Sequence, residues 1–119
     1  MREVFQSQLT EVQTRLVEMA EDTARIIEKA TKAFGTSDVA LADEAIAISD
    51  ATSNKALALD ELVIKVLARQ SPVARDLRIL VSALRISASL ERMGARGFVV
   101  VTLGVQRAVN QQMRVVLLQ

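Results

Sequence analysis

Residues 72–94 read PVARDLRILVSALRISASLERMG, and their spacing decides the fold. Val73, Leu77, Leu80 and Leu84 form one apolar stripe; Ile79, Ala83, Ile86, Leu90 and Met93 form a second. Steps of three and four residues are the period of an α-helix, not of a strand. Ser71 is placed to cap this helix and Pro72 to occupy its first position, where the missing N–H costs nothing. Two stripes side by side make an apolar face broad enough for two neighbours. The rest of the chain must supply two more helices.

It does so on the N-terminal side. Phe5, Leu9, Val12, Leu16, Met19, Thr23, Ile26, Ala30 and Ala33 alternate steps of four and three, a heptad seam with one polar break at Thr23. The spacing predicts a helix over residues 2–34, with Gly35 in the left-handed position just past its end. Thr36-Ser37-Asp38 reads as the cap of a second helix reaching about Gln70, with Asp38 favouring the positive end of its dipole. Leu41, Ala45, Ile48, Thr52, Leu59, Leu62 and Val66 carry its seam. The middle of that helix, SDATSNK at residues 49–55, lacks large apolar side chains. Either the seam is loose there or a polar group sits against it.

Connections of a few residues make consecutive helices antiparallel, so the expected fold is an all-α, up-down three-helix bundle with spectrin-like long helices. Composition agrees. Half of the 119 residues are apolar, yet the only aromatics are three Phe, and there is one Pro. Strand and turn signals are correspondingly scarce. Fifteen basic and fourteen acidic residues leave a net charge of +1, so no basic stripe of the kind nucleic acid requires is expected. The chain has neither Cys nor His, which excludes thiolate chemistry and the commonest general base and zinc ligand. No apolar run approaches the roughly 18 residues that suggest a membrane span, and the charged N-terminus does not read as a signal peptide, so a cytoplasmic protein is expected.

The character of the sequence changes after Ala95. Glu91 is the last acid, and the tail holds Arg96, Arg107 and Arg114. Residues 1–95 therefore carry a net −2 and residues 96–119 a net +3. The expected division is a bundle core over 1–95 and an atypical tail over 96–119 that extends helix three, although Gly94, Gly97, Gly104 and the Val99-Val100-Val101 run all weaken helix propensity.

Several ordered segments resemble the PhoU family. MREVFQSQL is similar to its opening pattern, SDVALADEAIAISD to its second-helix start, and LARQSPVARDLRILVSALRISASLERMG to its most specific run. The resemblance covers residues 1–94 and implies one PhoU-like repeat where the family usually has two. It implies a negative regulator of phosphate uptake and phosphate-starvation signalling, working by contact with a phosphate ABC transporter ATPase and a sensor histidine kinase. It also implies homodimers and no catalysis. The sequence RGFVVVTLGVQ, standing where the family continues its helix, suggests a truncated or frame-altered product, or else a divergent single-repeat protein.

The resemblance further implies a metal motif, acid-x-x-x-acid, on two helices. Carboxylates four apart share a helix face, and two such pairs can cage iron or magnesium. Here the pairs read Asp50 with Asn54 and Glu91 with Ala95, so each keeps only its first acid. Asp50, Asn54 and Glu91 are thus candidates for weak, water-completed binding of iron or magnesium. The plainer reading, which the spacing favours, is that Asp50 and Glu91 are solvated or ion-paired, Glu91 with Arg92 or Arg96. Arg75, Asp76, Arg78 and Arg85 make a charged face on helix three; each residue singly reads as ordinary surface charge with intrahelical pairing, and the face together as a candidate partner contact, arginine being common at interface hot spots. Met19, Met93 and Met113 read as core filler. Two other classes remain in view. One is a self-associating structural bundle; the other is a small helical enzyme of chorismate-mutase type using Arg15, Arg25, Lys32 and Arg85.

Overall fold

A computed structural model describes the backbone of residues 2–70 and 73–118, and the side chains there apart from those of residues 2, 70, 98, 100–102, 105, 108 and 112. The described residues form three helices, α1 (Arg2–Thr36), α2 (Val39–Gln70) and α3 (Ala74–Leu118), each packed against the other two. The result is a rod of 73 × 17 × 16 Å.

The α1–α2 corner takes two residues. Gly35 does not turn the chain; it lies inside α1, and the left-handed residue is Ser37, at φ 57°. The Asp38 N–H then reaches back to the Ala33 carbonyl at 3.3 Å, the six-to-one bond that closes a Schellman end. Asp38 serves α2 at the same time. Its backbone carbonyl accepts from Ala42 and its carboxylate from the Leu41 N–H at 3.2 Å, so it is itself the N-cap. Glycine has no advantage once a capped corner holds the residue two positions further on. Ser71 and Pro72 lie outside the described residues. The described part of α3 begins at Ala74, where the Val73 carbonyl accepts the first helical bond from Leu77.

The α1 seam packs as its spacing requires: Phe5, Leu9, Val12, Met19, Thr23, Ile26, Ala30 and Ala33 are buried, and Leu16 is half-buried against them. α3 differs. Neither stripe faces the core as a whole, because Val73, Leu77, Ile79, Ile86 and Met93 are exposed. The buried line takes Leu80 from one stripe and Ala83 from the other, and continues through Ser87, Gly94, Gly97 and Gly104. Met93 and Met113 are therefore surface residues, and of the three only Met19 fills the core.

α1 and α3 run parallel with a fixed offset. Ser87 meets Met19, Leu90 meets Thr23, Gly94 and Gly97 meet Ile26, and Gly104 meets Phe34. The glycines set how close the helices come. A Cβ on Gly97 would lie 2.6 Å from Ile26 Cγ2, and one on Gly104 would lie 3.0 Å from the Phe34 Cα. Packing against α1 thus continues past residue 95 as far as Gly104, and Arg107 stacks over the Phe34 ring at 5.7 Å. Beyond that level α1 has ended, and the last dozen or so residues of α3 project roughly 18 Å further, at 1.5 Å per residue.

Candidate functional site

The core consists of two apolar clusters. The larger is built from Phe5, Leu9, Val12, Met19, Leu59, Val63, Val66 and Leu80, with small residues between them; the smaller from Ala30, Ala33, Ala42 and Ala45. Between them lies a polar layer of Asp22, Thr23, Thr52 and Ser87, all at most 2% exposed. This is what sits against the apolar-poor middle of α2. Thr52 returns its hydroxyl to the Ile48 carbonyl at 2.9 Å, and Thr23 donates across to the Leu90 carbonyl of α3 at 3.4 Å.

Asp22 is the one buried acid of the layer and is fully engaged. Lys55 of α2 and Arg25, one turn along α1, both donate to it, and Lys55 also holds Glu18 at 2.8 Å. Burial pushes the Asp22 carboxyl up, but the hydrogen bonds and charges of Lys55 and Arg25 outweigh it, leaving the carboxyl below its ordinary range. The same bonds, from Asp22 first and Glu18 second, raise Lys55 against its own desolvation. The cluster is an internal brace between α1 and α2. Its acids and bases are mutually satisfied, so it offers no free acid–base pair for catalysis.

Asp50, Asn54 and Glu91 are all exposed. They offer two carboxylates and one amide oxygen, and among the described residues no three His, Cys, Asp or Glu are grouped to hold a metal ion. Such a donor set does not fit a closed or multinuclear site, because a hard cation takes six or more oxygens and water would have to supply most of them. Neither Arg92 nor Arg96 makes an ion pair with Glu91; Arg92 bonds Ser89 instead.

The four cations of the enzyme reading are not brought together. Arg15 is paired with Glu11, and Arg25 with Asp22. Arg85 stands level with Val17 in the α1–α3 register, which leaves Lys32 about 22 Å further along the bundle. Arg75, Arg78 and Arg85 are exposed on α3, and Asp76 is half-buried in its first turn. Every ion pair among the described residues lies on α1 or α2, so these α3 arginines have no carboxylate partner there. Arg92, also exposed, extends the row, a member the sequence reading passed over. Its signal was the strict seven-residue spacing of Arg78, Arg85 and Arg92.

These features define the class of protein: a long three-helix bundle braced internally by an ion cluster, with apolar and basic side chains presented along an outer face. Sequence comparison makes the assignment specific. The PhoU domain profile matches residues 16–98, and the chain belongs to the PhoU family. It is 37% identical over 95 residues to the phosphate-specific transport system accessory protein PhoU homolog 1 of Mycobacterium leprae, covering 80% of this chain and 43% of that protein. Homolog 2 of Mycobacterium tuberculosis is likewise 37% identical over 95 residues, covering 80% of this chain and 45% of its own length. The Aquifex aeolicus homolog is 32% identical over 87 residues, or 73% and 39% of the two chains. The chain thus spans less than half the length of these curated relatives. No solved structure matches it. Among the described residues, no helix is long and apolar enough to cross a membrane.

Proposed function

We propose that the chain is a regulator of phosphate transport that acts by binding other proteins. The observation that carries this reading is the PhoU match over residues 16–98, which spans the polar layer and most of the basic α3 face. The similar proteins are named as accessory proteins of the phosphate-specific transport system. The partners proposed for this chain are a phosphate ABC transporter ATPase and a sensor histidine kinase in the cytoplasm, with the phosphate-starvation response held off when phosphate is plentiful. A reporter driven by a phosphate-regulated promoter provides the test, in cells lacking the gene and complemented with this chain. Restored repression at high phosphate, with the ATPase or kinase co-purifying with the tagged chain, is expected. An unchanged reporter together with no co-purification would sink the reading.

Self-association is a second reading, carried by the projecting end of α3. Val109, Met113, Val116 and Leu117 are more than half or about half exposed there, an apolar surface that water disfavours. Sedimentation at rising concentration should show a dimer or larger species, and a strict monomer would remove this reading. Any cation at Asp50, Asn54 and Glu91 would be weakly held and completed by water. Calorimetric titration with magnesium should show no micromolar binding, and micromolar binding lost in Glu91→Ala would overturn that.

A further inference from the structure

α1 and α3 run parallel along one side of the bundle, with an open groove between them. Its floor is the exposed apolar stripe Ile79, Ile86 and Met93, at 38%, 49% and 43% exposure and seven residues apart. Three hollows of about 450, 300 and 200 Å³ follow one another along it, from the Val73–Asp76 end to the Ile27–Gly97 end. From Val73 to Gly97 the α3 side of this face runs about 36 Å, or nearly seven helical turns, two adjoining hollows lying toward Val73 and the third toward Gly97.

Its two walls differ in charge. Each hollow has an arginine on the α3 side, Arg75, Arg78 and Arg96 in order. The α1 side presents Gln6, Thr10, Gln13 and Thr31, all uncharged. Arg85 and Arg92 continue the α3 row at Arg78's seven-residue spacing, so a basic stripe follows the apolar one turn by turn. None of these arginines has a carboxylate partner among the described residues, and the only acid lining the hollows is Asp76.

We propose that this groove docks one amphipathic helix of a partner protein. The partner's apolar seam would seat on Ile79, Ile86 and Met93, with carboxylates on one flank lying against the α3 arginines. Heptad spacing on the floor matches the seam of a helix, and a row of arginines without carboxylate partners among the described residues selects acids beside that seam. The neutral α1 wall adds no charge preference on the other flank, where uncharged polar residues suffice. This inference rests on the contact-regulator reading and adds the chemistry of the contact.

The test uses the full chain and a fluorescent 24-residue peptide with a leucine heptad seam, glutamates on one flank and glutamines on the other. A control peptide carries lysine at each glutamate position. The glutamate peptide should bind saturably, and more weakly as salt rises. Reversing Arg78→Glu, Arg85→Glu and Arg92→Glu together should weaken it about tenfold or more, because rim charges set steering and pairing. The reversed chain should then prefer the lysine peptide, a rescue that a merely misfolded variant would not give. Ile86→Asp should abolish binding of both peptides while leaving helical circular dichroism and sedimentation unchanged. Equal affinity for the two peptides, or indifference to the triple reversal, would overturn the proposal. So would a dimer that Ile86→Asp turns into monomer, since the groove would then belong to a second copy. The peptide assay does not involve phosphate, so a silent reporter with the expected peptide binding would count against the regulatory reading alone.

Discussion

The two ends of the bundle share one seam but fill it differently. On the N-terminal side of the polar layer, large side chains such as Met19, Leu59, Val63 and Leu80 meet in the centre. On the other side, Ala30, Ala33, Ala42 and Ala45 pack together, and Gly97 and Gly104 come close to Ile26 and Phe34. The first end is stabilised by the amount of apolar surface it removes from water. The second has little side chain to bury and relies on close approach of helix to helix, where dispersion depends on fit. Equal heptad spacing therefore does not mean equal energetics, and the two ends should fail under different substitutions.

The largest effect is expected at the large-residue end. Leu59→Ala, at a side chain with no exposure, should cost about 3 kcal/mol in urea unfolding through lost transfer energy and a cavity. A cost below about 1 kcal/mol would mean that this end collapses around the gap and that the contrast is overstated.

The polar layer between the ends comes next. Asp22→Ala should cost about 2 kcal/mol, the scale of hydrogen bonds to charged groups, since Lys55 can still turn to Glu18 and Arg25 is largely solvated. Its pH signature is defined by the shifts. Asp22 is lowered from 3.8, so its contribution is present above that value and is lost as pH falls through the lowered pKa. Lys55 is raised from 10.5, so its contribution is complete below that value and is lost as pH rises through the raised pKa. Thermal melts across pH should show both losses in the parent chain, with the acid-side loss reduced in Asp22→Ala.

The small-residue end gives the smaller effects, of opposite sign at neighbouring glycines. Gly97→Ala drives its new Cβ against the stiff, fully buried Ile26, and overpacking should outweigh the helix-propensity gain by about 1 kcal/mol. Gly94→Ala meets Ile26 at an ordinary 3.4 Å, so about 0.5 kcal/mol or more of the propensity gain should survive as added stability. If both substitutions stabilise, the helices are not held at the distance the glycines allow.

Much of this fold was legible in advance, and the exceptions share a cause. The α1 seam, its break at Thr23, the extent of α2 and the polar demand of SDATSNK all follow from residue type and period. The line of α3 that faces inward did not. Period fixes which residues share a face, but a broad apolar face leaves open which line meets the neighbours. On α3 that line passes through Ser87 and three glycines, whose side chains give no hydrophobic signal. Gly35 misled for a similar reason: glycine permits a left-handed residue without requiring one, and the Asp38 bonds placed it at Ser37. Among the candidate sites, the basic face was visible as charge, yet its pairing with an open apolar stripe was not, because both stripes read as core.

By itself the sequence determined three long helices, their order, the antiparallel α1–α2 corner and the family, since these rest on local period, capping chemistry and residue identity. The tertiary structure decided which side of α3 is buried, that Asp22 is braced by Lys55 from another helix, and that Ile79, Ile86 and Met93 remain open beside a row of arginines with no carboxylate partner among the described residues. Those are matters of distance between segments far apart in the chain, set between α1 and α3 by how closely glycine lets two helices approach and between α1 and α2 by a buried ion cluster.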